Sequence, residues 1–213
     1  MGEGRQRGFD RAKKAMLQKL DTVLREGRVD PGAIPVINAL NRRCEYYTTS
    51  SCEGRIQVIR TNRIGDKAGA EVLGKWHERI DPKDLRAALD RWDGKGYVYL
   101  MVQSPIFHVV VRDLGAAVEL QRTGMRCGFK YSTIRSLKLA RTGPDKITVE
   151  LLSSLRFDMP LAHRGRIYPD HDQLEFLTDR ANEVIGMCKE RLARLADAFV
   201  ENPAERRGTD RNR

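Results

Sequence analysis

The chain has 213 residues and a net charge of +10, and 40% of its residues are hydrophobic while 32% are charged. This composition supplies enough apolar surface for one folded domain and excludes a chain that is disordered throughout. The positive charge favours a polyanionic partner such as a nucleic acid, because cationic side chains release counterions when they contact phosphates. A basic protein without such a partner is the alternative.

Membrane and exported proteins are two classes that the sequence does not resemble. No apolar run approaches the roughly 18 residues that span a bilayer, and no secretory signal is present, so we expect a cytoplasmic protein with reduced thiols and no membrane partner. The four cysteines show no C-x-x-C spacing and no nearby histidine pair, so no metal site is expected. Disulfide pairing stays open if the source is a hyperthermophile.

Two helices are predicted at the start of the chain. Apolar residues recur at helical spacing from Phe9 to Leu24, and Gly27 ends that helix. Asp30-Pro31 begins the second helix, with Asp at the N-cap and Pro at the first helical position. Capping alone accounts for Asp30, which is also kept as a catalytic candidate. The basic ends, residues 1–8 and 201–213, are predicted to be disordered, which leaves one domain over residues 9–200.

A cluster of hydroxyls, a thiol, a glycine and an arginine follows, in the run Thr-Thr-Ser-Ser-Cys-Glu-Gly-Arg that ends at Arg55. Residues 46–49 and 55–61 are predicted to be strands, with the small polar residues at the turn of a hairpin between them. Such a turn can aim hydroxyl and N–H groups at an anionic or zwitterionic ligand, and Arg55 adds a planar charged fork for a carboxylate or phosphate. A solvated hairpin turn is the alternative.

The remaining elements complete a mixed α and β pattern. They begin with a strand ending near Trp76 and a helix from Asp81-Pro82 to Asp93-Gly94. Apolar stretches at residues 97–102 and 106–112 then form two strands or one bent strand. A helix capped by Asp113 follows, then a hairpin of residues 129–139 and 146–152 turning at residues 142–145, and finally a helix over residues 172–200. The apolar stripe of the last helix is predicted to lie on the sheet, with a coiled-coil contact as the alternative.

The element order indicates an α+β fold. We expect a largely antiparallel sheet, able to curve into a barrel-like form, built from a duplicated β-α-β-β unit and flanked by helices. No G-x-G-x-x-G follows a predicted strand, so a Rossmann fold is not expected.

Several segments together resemble the tRNA wybutosine-synthesizing protein 3 family. They occur in the family's order and are Gly27-Arg28-Val29-Asp30, Thr48-Thr49-Ser50-Ser51-Cys52-Glu53-Gly54-Arg55-Ile56, Gly74-Lys75-Trp76-His77, Pro105-Ile106-Phe107-His108-Val109, Gly128-Phe129-Lys130-Tyr131-Ser132 and Pro160-Leu161. Gly-Lys-Trp-His is similar to the archaeal form. The resemblance implies an S-adenosylmethionine-dependent methyltransferase that acts on N4 of a wyosine-type guanosine at position 37 of phenylalanine tRNA. A non-catalytic module that presents the anticodon loop to another enzyme is the alternative.

The resemblance also suggests site residues. His77 and His108 are candidate bases, because an imidazole titrates near neutral pH, although a hydrogen-bonded structural histidine is the alternative for each. Trp76 offers a flat surface for a base or adenine, or packs in the core. The candidate cofactor-binding residues are Ser50, Ser51, Cys52, Gly54, Arg55, Trp76 and Ser132. The candidate RNA-binding residues are Lys75, Lys130 and Arg112. A monomer or weak homodimer is expected.

Three positions depart from the family pattern. A second glycine is replaced by Thr133, an acidic residue by Gln103-Ser104, and an arginine by Leu151-Leu152. Binding roles at these positions are therefore in doubt.

Overall fold

The computed structural model describes residues 3–63, 65–66, 69–138 and 146–200, with side chains from residue 7 onward. Its helices are α1 (Glu3–Arg25), α2 (Ile34–Arg42), α3 (Pro82–Leu89), α4 (Leu114–Arg126) and α5 (His171–Val200), with a 3-10 turn at Pro31–Ala33. Its strands are β1 (Tyr46–Cys52), β2 (Arg55–Thr61), β3 (Glu71–Trp76), β4 (Tyr97–Gln103), β5 (Ile106–Val111), β6 (Thr133–Lys138), β7 (Lys146–Leu152), β8 (Phe157–His163) and β9 (Arg166–Ile167). None of these helices is long and apolar enough to span a membrane.

The first of two compact units contains a four-stranded antiparallel sheet in the order β1-β5-β7-β6. Side chains alternate between the two faces of a strand, and in β5 Phe107, Val109 and Val111 are completely buried in a core with α2, α4 and the last turns of α5. The opposite face is covered at one end by α1, where Phe9 packs on Tyr47 with ring centroids 5.2 Å apart. His108 lies on this opposite face, between Phe107 and Val109 in sequence.

The second unit contains a five-stranded antiparallel sheet in the order β3-β2-β4-β8-β9. Val98, Leu100 and Val102 of β4 are completely buried against α3 and the first half of α5. In this unit the buried Asn182 holds the loop before α3, since its amide oxygen accepts from Ile80 N and its Nδ2 donates to Ile80 O, each at 2.8 Å. Because side chains alternate along a strand, Tyr97, Tyr99 and Met101 lie on the face of the sheet opposite to the buried side chains of β4.

The α+β class and the antiparallel pairing are as predicted. The first unit runs β5-α4-β6-β7, which is a β-α-β-β order, whereas the second runs β2-β3-α3-β4 with its hairpin before its helix. Strands 97–102 and 106–112 are separate strands in different sheets. The β6–β7 pairing confirms the third hairpin, whose predicted turn at residues 142–145 lies outside the described residues. One domain over residues 9–200 stays a prediction.

Three local predictions are wrong. β1 and β2 do not pair, because β1 joins β5 while β2 joins β3 and β4, so the Ser-Ser-Cys run is not a hairpin turn. The N-terminal helix begins at Glu3, which places part of the expected disordered end in α1. Helix α3 ends at Leu89, earlier than Asp93-Gly94, since the chain turns through Asp90 to Trp92. The predicted disorder of residues 201–213 lies outside the described residues.

The apolar stripe of α5 is buried, as the sequence predicts for a helix that lies on a sheet. Its first half packs in the second core through Leu174, Leu177 and Ala181. Its last turns pack in the first core through Leu195 and Phe199. These side chains are already covered within their own units, so the stripe does not offer a coiled-coil surface.

Candidate active site

A row of polar side chains crosses the outer face of the four-stranded sheet. Ser50 of β1 pairs in register with His108 of β5, which pairs with Glu150 of β7. The Ser50 Oγ lies 2.6 Å from His108 Nδ1, and His108 Nε2 lies 2.7 Å from Glu150 Oε2. Arg135 of β6 completes the row with an ion pair to Glu150. The fold thus joins a predicted cofactor residue and a predicted base in one hydrogen-bonded chain.

The row fixes where the protons lie. An ionised Glu150 can only accept, so His108 Nε2 carries a hydrogen and donates it, and in the neutral ring Nδ1 is left to accept from the Ser50 hydroxyl. The Arg135 NH1 is also 3.0 Å from Nε2, but two donors cannot share a hydrogen bond, so Arg135 acts on the carboxylate. This is the order of groups in which a histidine activates a hydroxyl.

Electrostatics keep Glu150 charged. Burial acts to raise its pKa, but hydrogen bonds from His108 and Arg135 and the charge of Arg135 outweigh burial, so the pKa of Glu150 is lowered below its ordinary value. The side chains of His108 and Glu150 are 24% and 14% exposed, whereas Ser50 is exposed. The row therefore reaches solvent at both ends, since the Arg135 side chain is 57% exposed.

A β-bulge places Ser50 in this row. The β1–β5 register shifts between Thr48 and Ser50, so Thr49 is an extra residue on its strand. Asn41 of α2 binds the residue before the bulge, because Thr48 N donates to Asn41 Oδ1 at 2.9 Å and Asn41 Nδ2 donates to Thr48 Oγ1 at 3.0 Å. Thr49 Oγ1 donates to the His108 carbonyl at 3.2 Å. These side-chain bonds thus hold the bulge and the strand that carries the base.

In the second unit, Arg55 is held in place by Gln103. The Arg55 Nε donates to Gln103 Oε1 over 2.8 Å. Gly54 precedes it with φ of 91°, and a Cβ at Gly54 would lie 2.8 Å from the Gln103 carbonyl and 3.2 Å from Pro105 N. Only glycine fits this conformation and this close approach. The neutral amide of Gln103 orients the guanidinium without cancelling its charge.

His77, the other candidate base, is also in the second unit. Its Nδ1 lies 2.9 Å from the Gly54 carbonyl and 3.3 Å from an oxygen of Glu53, which is 7% exposed. Both partners accept, so Nδ1 carries the hydrogen and Nε2 is the basic nitrogen of the neutral ring. Trp76 lies against Gly74, where a Cβ would come within 2.1 Å of the indole, and packs on the unit's core. Its proposed stacking on a base or adenine stays a prediction.

Two predicted contact residues make contacts within the protein. Ser132 is 4% exposed, and its hydroxyl donates to the Phe129 carbonyl at 2.6 Å, which closes a turn. Arg112 donates to Asp10 at 2.6 Å and to the Cys44 carbonyl at 2.9 Å, and its guanidinium lies 4.8 Å from the Phe9 ring centroid. Cofactor binding by Ser132 and RNA binding by Arg112 stay predictions.

The remaining candidate residues differ in how far their surroundings explain them. Asp30 occupies the N-cap position, but its side chain makes no capping hydrogen bond, so the capping explanation is wrong. Lys75 and Lys130 are exposed, as a phosphate contact requires. All four cysteines are described, and none forms a disulfide; Cys52 is partly exposed and Ser51 is too. The sequence reasoning missed Glu150, Arg135 and Asn41.

Comparisons with known proteins identify what the chain is similar to. The family model "Methyltransferase TYW3" matches residues 11–201. A Pyrococcus abyssi protein named tRNA(Phe) 7-((3-amino-3-carboxypropyl)-4-demethylwyosine(37)-N(4))-methyltransferase 1 is 37% identical over 91% of this chain and 96% of its own. A Methanocaldococcus jannaschii protein with that methyltransferase name is 33% identical over 91% and 98%. A solved structure from Pyrococcus horikoshii has a TM-score of 0.84 at 36% identity, covering 92% of this chain and 97% of its own.

Acid should weaken the first unit through Glu150. A carboxylate whose folded pKa is lowered contributes stability above its ordinary pKa of 4.5, and that contribution is lost as the pH falls through the folded value. We therefore expect Glu150→Gln to reduce the free energy of unfolding by about 1 kcal/mol at pH 7, the scale of one net hydrogen bond to a charged group reduced for partial exposure, and by less at pH 3. Urea unfolding at both pH values measures this. The same loss at both pH values would contradict it, and Glu183→Gln is the exposed control.

Proposed function

Because this chain belongs to the methyltransferase TYW3 family, we propose that it transfers a methyl group from S-adenosylmethionine to N4 of the 7-(3-amino-3-carboxypropyl)-4-demethylwyosine at position 37 of tRNA(Phe), the reaction named for its relatives. One observation supports this most strongly: the family match extends over residues 11–201 and includes a serine–histidine–glutamate row able to accept a proton. The base at position 37 is unpaired in the anticodon loop, so exposing it to an enzyme costs little.

The charge of the chain suits this substrate. A net charge of +10 favours tRNA, because each phosphate that is neutralised releases counterions. Lys75 and Lys130 are exposed cations that can make such contacts. Phosphate contacts position an RNA without reading its sequence, so recognition of the modified base must come from other groups.

S-Adenosylmethionine supplies an electrophilic methyl group on a sulfonium. The donor's methionine end carries a carboxylate and an ammonium, and a guanidinium held by a neutral partner is suited to a carboxylate. Arg55 meets this description, since Gln103 orients its Nε and leaves the charge intact. Arg55 therefore fits the donor's carboxylate.

The serine–histidine–glutamate row handles the proton. Methylation of a ring nitrogen that bears hydrogen replaces an N–H bond by an N–CH₃ bond and releases one proton. Ser50 Oγ accepts that proton as its own hydrogen passes to His108 Nδ1, so the hydroxyl is regenerated and an imidazolium forms. Glu150 and its hydrogen bond to Nε2 stabilise the imidazolium, as a charged acceptor does for a general base. The imidazolium then loses the proton to solvent.

The reaction itself is tested with tRNA(Phe) bearing the demethylated base. We expect incubation with the protein and S-adenosylmethionine to add one methyl group to the nucleoside at position 37, because positioning and proton removal are all that transfer from a sulfonium requires. Mass spectrometry of the digested tRNA measures the added mass. Tight tRNA binding without any methyl transfer would instead support the non-catalytic module.

Removing a member of the serine–histidine–glutamate row should slow turnover without weakening the binding of S-adenosylmethionine. We expect Ser50→Ala and His108→Asn each to lower kcat about 100-fold or more, since a positioned base contributes roughly 10²–10⁴ in rate, while the donor's Kd changes less than about threefold. Single-turnover methylation and calorimetry measure the two effects. Thr22→Ala is the control, because it removes an exposed hydroxyl of α1 whose described bond is to the Gln18 carbonyl, and it should retain near-normal turnover. A loss of turnover in His77→Ala without a loss in His108→Asn would refute proton transfer through the row of Ser50, His108 and Glu150.

Removing the Arg55 side chain should weaken the binding of S-adenosylmethionine rather than that of the tRNA. A hydrogen bond between charged groups is worth about 1.5–3 kcal/mol, so we expect Arg55→Ala to raise the Kd of S-adenosylmethionine about 10- to 150-fold. Titration calorimetry measures this, and tRNA affinity should change less than about threefold. Arg86→Ala removes an equally charged but 60% exposed side chain of α3 and is the control. If Arg55→Ala binds S-adenosylmethionine with unaltered affinity, Arg55 does not bind the donor's carboxylate.

A further inference from the structure

The outer face of the five-stranded sheet carries a stack of rings. His163 of β8 and Tyr97 of β4 lie face to face, with centroids 4.0 Å apart and planes 6° from parallel. Tyr99, two residues along the same strand, follows at 6.3 Å from Tyr97 with planes 24° apart. All three are partly exposed, although two of them are tyrosines that a core could have buried. The three rings thus form one stack on the neighbouring strands β4 and β8.

The stack ends at a cavity. This cavity of about 310 Å³ has Tyr99 on its wall, together with the apolar side chains of Ile59 and Met101. The carboxylates of Asp66 and Asp158 also line it. A flat group placed here would continue the series of rings beyond Tyr99. Its polar edge would meet carboxylate oxygens, which accept hydrogen bonds from N–H groups.

Cations lie at the other end of the stack. Lys95 precedes β4, Arg164 lies in the turn between β8 and β9, and Arg166 begins β9, where it pairs with His163. Among the described residues no carboxylate forms an ion pair with these three side chains; Arg166 instead lies over the Tyr168 ring at 5.6 Å from its centroid. Their charge is therefore available to an anionic partner.

We propose that this face binds an unpaired nucleobase of the RNA substrate, held in the cavity against Tyr99 while the adjoining backbone phosphates contact Lys95, Arg164 and Arg166. Single-stranded RNA combines the required chemistry, since it presents flat bases with N–H donors and a negative charge at every nucleotide. A duplex does not, because its bases are already stacked. The inference rests on the proposed function, which makes an anticodon stem-loop the relevant RNA, and adds to it a second contact outside residues 50–55.

The proposal is tested by measuring how tightly three tyrosine variants bind a synthetic anticodon stem-loop. Stacking on an aromatic side chain contributes enough that Tyr99→Leu should weaken binding about 5- to 150-fold, whereas Tyr99→Phe, which keeps the ring, should bind within about twofold of the wild type. Tyr131→Leu removes a tyrosine of the first unit that is 58% exposed, and it should leave the affinity unchanged. Fluorescence anisotropy measures each Kd, and thermal unfolding confirms that each variant is folded.

Two further measurements separate the parts of the proposal. A loop-free RNA duplex of equal length should bind wild type and Tyr99→Leu equally, since only an unpaired base reaches the cavity. Replacing Lys95 and Arg164 together by Ala should make the slope of log Kd against log salt concentration shallower by about one for each phosphate that is no longer neutralised, whereas Tyr99→Leu should not alter that slope. Equal stem-loop affinities in wild type and Tyr99→Leu would overturn the inference.

A photo-crosslink covers the case in which Tyr99→Leu does not fold. A stem-loop carrying a photoactivatable base in its loop should attach to the wild-type peptide that contains Tyr97 and Tyr99, and attachment confined to the first unit would overturn the inference. The proposed function fails separately, by absence of methyl transfer from the wild type to tRNA(Phe). Tyr99-dependent RNA binding without methyl transfer would support this surface while refuting that function.

Discussion

The hydrogen bond between His108 and Glu150 is the interaction on which the proposed chemistry of the first unit depends. It sets the tautomer of the imidazole, and the tautomer decides that Nδ1 faces the Ser50 hydroxyl as an acceptor. Arg135 contributes indirectly, because its pairing with the carboxylate keeps Glu150 ionised and therefore unable to donate. Without an ionised carboxylate the ring could adopt the other tautomer, and the serine would lose its proton acceptor.

The two-residue alternation of β-strands places this row. Phe107 and Val109 fill a core, so the backbone geometry of β5 sends His108 to the opposite face, and Val149 and Leu151 do the same for Glu150. Packing therefore orients the polar groups, and a change that shifted the register by one residue would bury the histidine. The β-bulge at Thr49 is the exception to regular pairing, and Asn41 stabilises it from α2.

The sequence predicts this architecture where patterns are local. Apolar spacing indicates the helices, an almost continuous apolar run indicates β4, and Asp113 caps α4 through a bond to Ala116 N, as its position predicts. Strand pairing is not local, so a short polar connection between two predicted strands resembles a hairpin although the strands belong to different sheets. Glu150 was missed for the same reason: an acid in an apolar strand becomes a partner for His108 only once the register is known.

The two sheets carry different kinds of side chain on their outer faces, and the composition of each strand explains why. In the first unit the row contains small or titratable side chains, whose hydrogen bonds hold proton positions but provide little surface for a ligand. In the second unit Tyr97 and Tyr99 alternate with the buried Val98 and Leu100, so the same period of two produces broad, partly exposed rings. Aromatic surface in contact with water is unfavourable unless a partner covers it, and stacking with a base covers it without requiring a particular sequence. A methyltransferase that acts on a modified base needs both kinds of surface, because proton transfer demands fixed hydrogen bonds while capture of an RNA loop demands area and charge.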